Sequence, residues 1–111
     1  MAGLKELLLK RFEVSTRVVP NPLIATIGTT AALVLPNNPN RLAWVITNLS
    51  INLMYISFYI DVASTKGILL DKNGGSVSAV WSEDFEAVAW EIYIVAAGAS
   101  SAVYSYEVVT I

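Results

Sequence analysis

The chain has no cysteine and no histidine among its 111 residues. Without cysteine there is no disulfide framework, no thiol nucleophile and no redox signature. Without histidine the usual general base and the commonest zinc, copper and haem ligand are missing. Together the two absences argue against most enzyme classes, and the expectation is a protein that is not an enzyme and uses no cofactor or metal. Charge is scarce too. Only 14% of residues are charged against 55% hydrophobic, with a mean hydropathy of +0.58, where a soluble chain carries roughly 25% charge. That leaves few solvating side chains to coat a monomer. No run of about 18 apolar residues is free of polar interruption, which argues against a membrane-spanning helix. No secretory signal is expected, because the Leu-rich start carries Lys5, Glu6, Lys10 and Arg11 and no small-residue cleavage site follows. Burial in an assembly is the better account of so apolar a chain.

What charge there is lies unevenly. Residues 1–41 hold Lys5, Lys10, Arg11, Arg17 and Arg41 against Glu6 and Glu13, a balance of +3. Residues 42–111 hold Lys66 and Lys72 against Asp61, Asp71, Glu83, Asp84, Glu86, Glu91 and Glu107, a balance of −5. A basic arm meeting an acidic body on a neighbour is one reading, and scatter is the other.

Residues 1–12 are expected to form an arm and residues 13–111 a single domain. Leu4, Leu7 and Leu8 recur at helical spacing, with Lys5, Glu6 and Lys10 off that face, so Gly3 to Phe12 suits a short amphipathic helix. So short a helix is marginal alone. It must dock on its own body, on a neighbour or on a membrane surface, and these three leucines are the candidate arm contacts. From Glu13 the pattern turns to period two and predicts a strand that Pro20-Asn21-Pro22 breaks. A β-prone run follows over Leu23–Leu35, with Gly28 a candidate bulge or bend. Pro36–Asn40 is a turn. Strands are expected over Arg41–Leu49 and Leu53–Val62, joined as a hairpin by Ser50-Ile51-Asn52. Gly67–Leu70 is a short apolar segment, Asp71–Gly75 a turn, and Ser76–Trp81 a short strand. Ser82–Glu86 reads as an acidic connection, Ala87–Ala97 as a long strand, and Ala102–Ile111 as the last. About eight strands without helical crossovers predict an all-β, antiparallel β-sandwich.

Aromatic residues are the candidate functional groups. On Leu53–Val62, Met54, Ile56, Phe58, Ile60 and Val62 share one face and read as core. Tyr55, Ser57, Tyr59 and Asp61 share the other. Tyr55, Tyr59 and Asp61, with Tyr93, form a candidate interface or glycan-binding face, because tyrosine is enriched at interfaces and aromatic rings also stack on sugars. Packing within the fold is the third possibility for them. Trp44 and Trp90 share register with isoleucines and read as core. Glu83, Asp84 and Glu86 supply oxygens of the kind calcium takes, but the EF-hand spacing is absent and a solvated acidic loop is the simpler reading. Asn48-Leu49-Ser50 fits the glycosylation sequon. Gly74-Gly75 opens no phosphate loop, and no basic stripe with interleaved aromatics suggests nucleic acid.

From Arg41 onward a resemblance emerges. The elements Arg41…Asn48-Leu49-Ser50, Met54-Tyr55-Ile56-Ser57, Gly67-Ile68-Leu69-Leu70, Gly74-Gly75-Ser76 and Trp90-Glu91-Ile92-Tyr93-Ile94-Val95-Ala96 resemble small β-sandwich virion proteins of tailed bacteriophages and related viruses. The match covers residues 41–97. It implies a jelly-roll-like sandwich serving as capsid decoration, fibre-base or tail component. It further implies a location in the virion, a homo-oligomer with a trimer favoured, and other virion proteins as partners. The alternative is a carbohydrate-binding module for host attachment. The leucine helix and the Ser82–Glu86 acids lie outside that pattern.

Overall fold

The computed structural model describes residues 3, 4, 6 and 15–110. Among the described residues nine strands make two antiparallel sheets: β1 (Thr16–Pro20), β2 (Thr26–Ile27), β3 (Ala32–Leu35), β4 (Arg41–Asn48), β5 (Met54–Ser57), β6 (Ile68–Leu70), β7 (Ser76–Val80), β8 (Ile92–Ala96) and β9 (Ser101–Thr110). One sheet runs β1-β9-β4-β7, with β2 also on β9, and the other runs β3-β8-β5-β6. β1 pairs with the C-terminal half of β9 and β2 with its start, so both occupy one position in the sheet. Counted so, there are eight strand positions in two four-stranded layers. With β1 and β2 taken as one position, β5 and β6 are joined within a sheet and the other connections cross between sheets. This is the strand order of a jelly roll, and the sandwich expectation is met.

Inward residues of both layers form the core. Trp44 and Ile46 of β4 and Val103 of β9 face Met54, Ile56, Leu70, Ile92, Ile94 and Leu35 of the other sheet. Full burial of each large aliphatic side chain is worth about 1.5–3 kcal/mol, so this layer drives the fold.

Several expected elements differ. Ser50–Asn52 makes no hairpin: β4 pairs with β7 and β9, whereas β5 pairs with β6 and β8, so the segment carries the chain from one sheet to the other. Strand β5 stops at Ser57, and the chain turns so that Val62 donates its N–H to Tyr59 O at 3.3 Å. Ile60 therefore leaves the core face and is 67% exposed, whereas Val62 folds back and is buried. Leu23–Leu35 divides into β2 and β3 around Gly28. Gly28 makes no bulge, and its carbonyl accepts from Ala96 N at 2.9 Å. The bulges lie instead between Leu33 and Leu35 and between Arg41 and Ala43. Trp81, expected to end a strand, opens a single helical turn, α1 (Trp81–Asp84), and a 3-10 turn over Phe85–Ala89 follows. The expected long strand from Ala87 begins only at Ile92. Of the expected arm, Leu4 and Glu6 are helical and exposed, while Leu7 and Leu8 lie outside the described residues.

Candidate functional site

Strand β4 begins and ends with a buried polar residue, and these two pins fix the two ends of the sandwich. At its start the Arg41/Ala43 bulge turns Arg41 inward, as bulges re-aim side chains. Arg41 is 2% exposed and Glu107 on β9 is 4%. Arg41 Nε donates to Glu107 Oε2 at 2.5 Å. Its remaining donors reach the carbonyls of Val88 (3.2 Å), Trp90 (3.1 Å) and Pro36 (2.5 Å). One guanidinium thus ties the Pro36–Asn40 turn, the 3-10 turn and β9 together, using the fork of donors that lysine lacks. The sequence gives little sign of this, because no pattern marks which face of β4 an arginine at its first residue takes.

At the other end Asn48 is fully buried. Its amide donates to Asn52 O at 2.7 Å and Leu70 O at 3.2 Å, and its Oδ1 accepts from Ser50 N and Oγ at 2.9 and 2.8 Å. Asn52 in turn donates to Ser101 Oγ at 3.0 Å. Every group of the Asn48 amide is engaged inside the fold, so the sequon is not open to glycosylation in this structure.

The Arg41 pin builds an aromatic end on the molecule. Trp90 gives its carbonyl to Arg41 while its ring points outward, 45% exposed, against the expectation that it is core. It meets Phe58 edge-on, with centroids 5.5 Å apart at 84°. Trp81 is 51% exposed. Phe85 joins α1 to the 3-10 turn at φ 53°, a left-handed backbone disfavoured for a bulky side chain. Its ring is held outward, 77% exposed. Trp81, Phe85, Trp90, Leu42 and Pro39 line a groove of about 650 Å³ between α1 and the Pro36–Asn40 turn. Phe58, Tyr59 and Glu91 line an adjoining hollow on the far side of Trp90. Glu83, Asp84 and Glu86 stand on the α1 side, all exposed. Asp84 turns back to accept from Val80 N at 2.9 Å. Among the described residues no three carboxylates come together as a metal site.

The aromatic residues expected to form one face are divided. Tyr55 on β5 and Tyr93 on β8 both lie on the outward face of the β3-β8-β5-β6 sheet, with Leu33, Ser57, Val95 and Leu69. Tyr59 and Asp61 lie in the loop beyond β5. Tyr59 belongs to the Trp90 hollow, while Asp61 lines a different depression together with Tyr55. Asp61 also pairs at 3.5 Å with Lys66 on the surface. Burial raises the Tyr93 phenol above its ordinary value, and a hydrogen bond to Glu91 and that carboxylate's charge push the same way.

The outward face of the other sheet carries Val18, Pro20, Ala43, Val45, Thr47, Ser76, Ser78, Tyr104, Tyr106 and Val108 by register. Neither outward face bears a charged side chain among the described residues of its strands. At the edges, β7 (Ser-Val-Ser-Ala-Val) and β6 (Ile-Leu-Leu) carry neither charge nor proline, although isolated sheets normally guard their edges with them.

No family model matches this chain, and no curated protein does. A solved structure shares its fold. That structure comes from a description of Bacillus endospore appendages as a novel family of disulfide-linked pili. The two chains superpose with a TM-score of 0.52 over 88% of each, at 15% sequence identity. At that identity the likeness is one of fold.

Proposed function

We propose that this chain is a non-enzymatic structural subunit that assembles with copies of itself. The observation that carries the reading is that, among the described residues, no strand residue on either outward sheet face or in the β6 and β7 edges is charged. A monomer of this size ordinarily solvates at least one outer face of an antiparallel sandwich. Uncharged outward strands and unguarded edges instead suit surfaces that meet other protein. The fold shared with a pilus protein supports the same role.

In finer detail, the motif resemblance supports a capsid decoration or other virion component located in the virion, with a trimer favoured. The pilus neighbour supports an open polymer. The 111 residues hold no cysteine, so the disulfide linkage named for the appendage pili has no counterpart here.

Light scattering at micromolar concentration tests the reading. A species of several copies is expected, its mass separating a trimer from a polymer. Tyr55→Lys on one face and Tyr106→Lys on the other should each reduce that mass without unfolding the chain. A 12.0 kDa monomer at every concentration would refute self-assembly.

A further inference from the structure

Two features of the chain are chemically complementary. The first is the groove at the α1 end. Its rings are Trp81, Phe85 and Trp90, all between 45% and 77% exposed. Glu86 lines it and Glu91 lines the adjoining hollow beside Trp90, whereas Glu83 faces a separate depression over β4, β7 and β9. Among the described residues Arg41 is the one basic side chain that lines it, and that charge is matched by Glu107. Phe85 is held outward on a left-handed backbone, and such strain tends to mark functional positions. An exposed apolar patch rimmed by polar residues is an interaction surface.

The second is the N-terminal segment. Residues 4–12 read Leu-Lys-Glu-Leu-Leu-Leu-Lys-Arg-Phe, with Lys5, Lys10 and Arg11 against one acid, Glu6. Leu4 is 69% exposed, so its own body gives it no cover. The segment enters the fold through Thr16, which pairs with Thr110 at the same end of the sandwich as the groove. The ring-lined groove therefore lies at the end of the copy where the first strand after this basic, leucine-rich segment begins.

We propose that segment 4–12 of a second copy docks in the acidic aromatic groove between α1 and the Pro36–Asn40 turn. The leucines cover Trp81, Phe85 and Trp90, and Lys5, Lys10 and Arg11 approach Glu86 and Glu91. This rests on the self-assembly reading and names the contact that gives it direction. Each copy offers one segment and one groove, which makes the contact heterologous, able to close a ring or to propagate. The rim charges are exposed, so salt weakens the contact.

The absence of native cysteine makes disulfide trapping clean. Full-length Leu8→Cys, carrying a size tag, is mixed with untagged full-length Phe85→Cys under mild oxidation and run on non-reducing gels, with light scattering of the same mixture. A mixed-size dimer is expected, several-fold more abundant than with Ser76→Cys, which sits at the opposite end of β7. About 1 M salt, where the Debye length is about 3 Å, should suppress it. Adding Glu86→Lys and Glu91→Lys to the groove copy should suppress it too, and Lys5→Glu with Lys10→Glu on the tagged copy should restore it. Trapping no better than the Ser76→Cys control overturns the docking, and if larger species persist in that mixture the self-assembly reading stands. A Leu8→Cys/Phe85→Cys double variant that closes only within one chain also overturns it, by placing the segment on its own body. An oligosaccharide that shifts tryptophan emission while no cross-link forms would assign the groove to sugar instead.

Discussion

Replacing Glu107 with glutamine keeps the shape of the buried pin and removes its charge. Arg41 would then hold a full positive charge at 2% exposure, with only neutral acceptors: the carbonyls of Pro36, Val88 and Trp90 and the new amide oxygen. Leaving one partner of a buried ion pair uncompensated costs about 3–5 kcal/mol. The three carbonyls still solvate the guanidinium, so the lower end, about 3 kcal/mol, is expected. For a domain of this size that is a fall in Tm of about 12 °C. Arg41→Met should cost at least as much, because it strands three carbonyls and a buried carboxylate together. The double variant should cost less than the sum of the two single ones, since both remove the same contact. Urea melts at low protein concentration measure this with assembly kept out of the equilibrium. A loss below about 1 kcal/mol for either single variant, the range of exposed ion pairs, would refute the claim that this pair holds the aromatic end together.

Asn48→Ala leaves Asn52 O, Leu70 O and the Ser50 groups short of partners at a buried position, and should cost about 2 kcal/mol or more in a urea melt. Gly75→Ala brings a Cβ to 2.7 Å from Asp71 N and into contact with Asp71 O, so the turn before β7 must shift. A loss of about 1–3 kcal/mol is expected there, and an unchanged Tm would show that the turn gives freely. The Tyr93 phenol is raised in the folded state, so its contribution is complete below the unfolded tyrosine value of about 10 and is lost as pH climbs past it. Ultraviolet titration should show one tyrosine ionising late, and Tyr93→Phe should flatten the stability loss above pH 10; equal alkaline slopes in the two proteins would contradict this.

The sequence by itself carried the all-β, two-layer fold. Its turns at Pro36–Asn40 and Asp71–Gly75 and its last strand are local chemistry, readable from proline, asparagine, glycine and period-two alternation. The scarcity of charge likewise showed in the composition before any face could be located. Partner strands were not readable. Ser50-Ile51-Asn52 looks like a hairpin from its neighbours alone, yet each flanking strand finds its partners elsewhere in the chain, and only long-range burial selects them. Alternation also fails where both faces are apolar. Ile60 and Trp90 fit a core register equally well on paper, but one lies past the end of β5 and the other precedes β8, so neither reaches the interior. Arg41 faces Glu107 because a bulge one residue into β4 turns it inward. A bulge is a compromise between two partner strands, which no local pattern in either one specifies. The groove of Trp81, Phe85 and Trp90 follows from that bulge, because the turn presenting the rings is tied down by the arginine it buries.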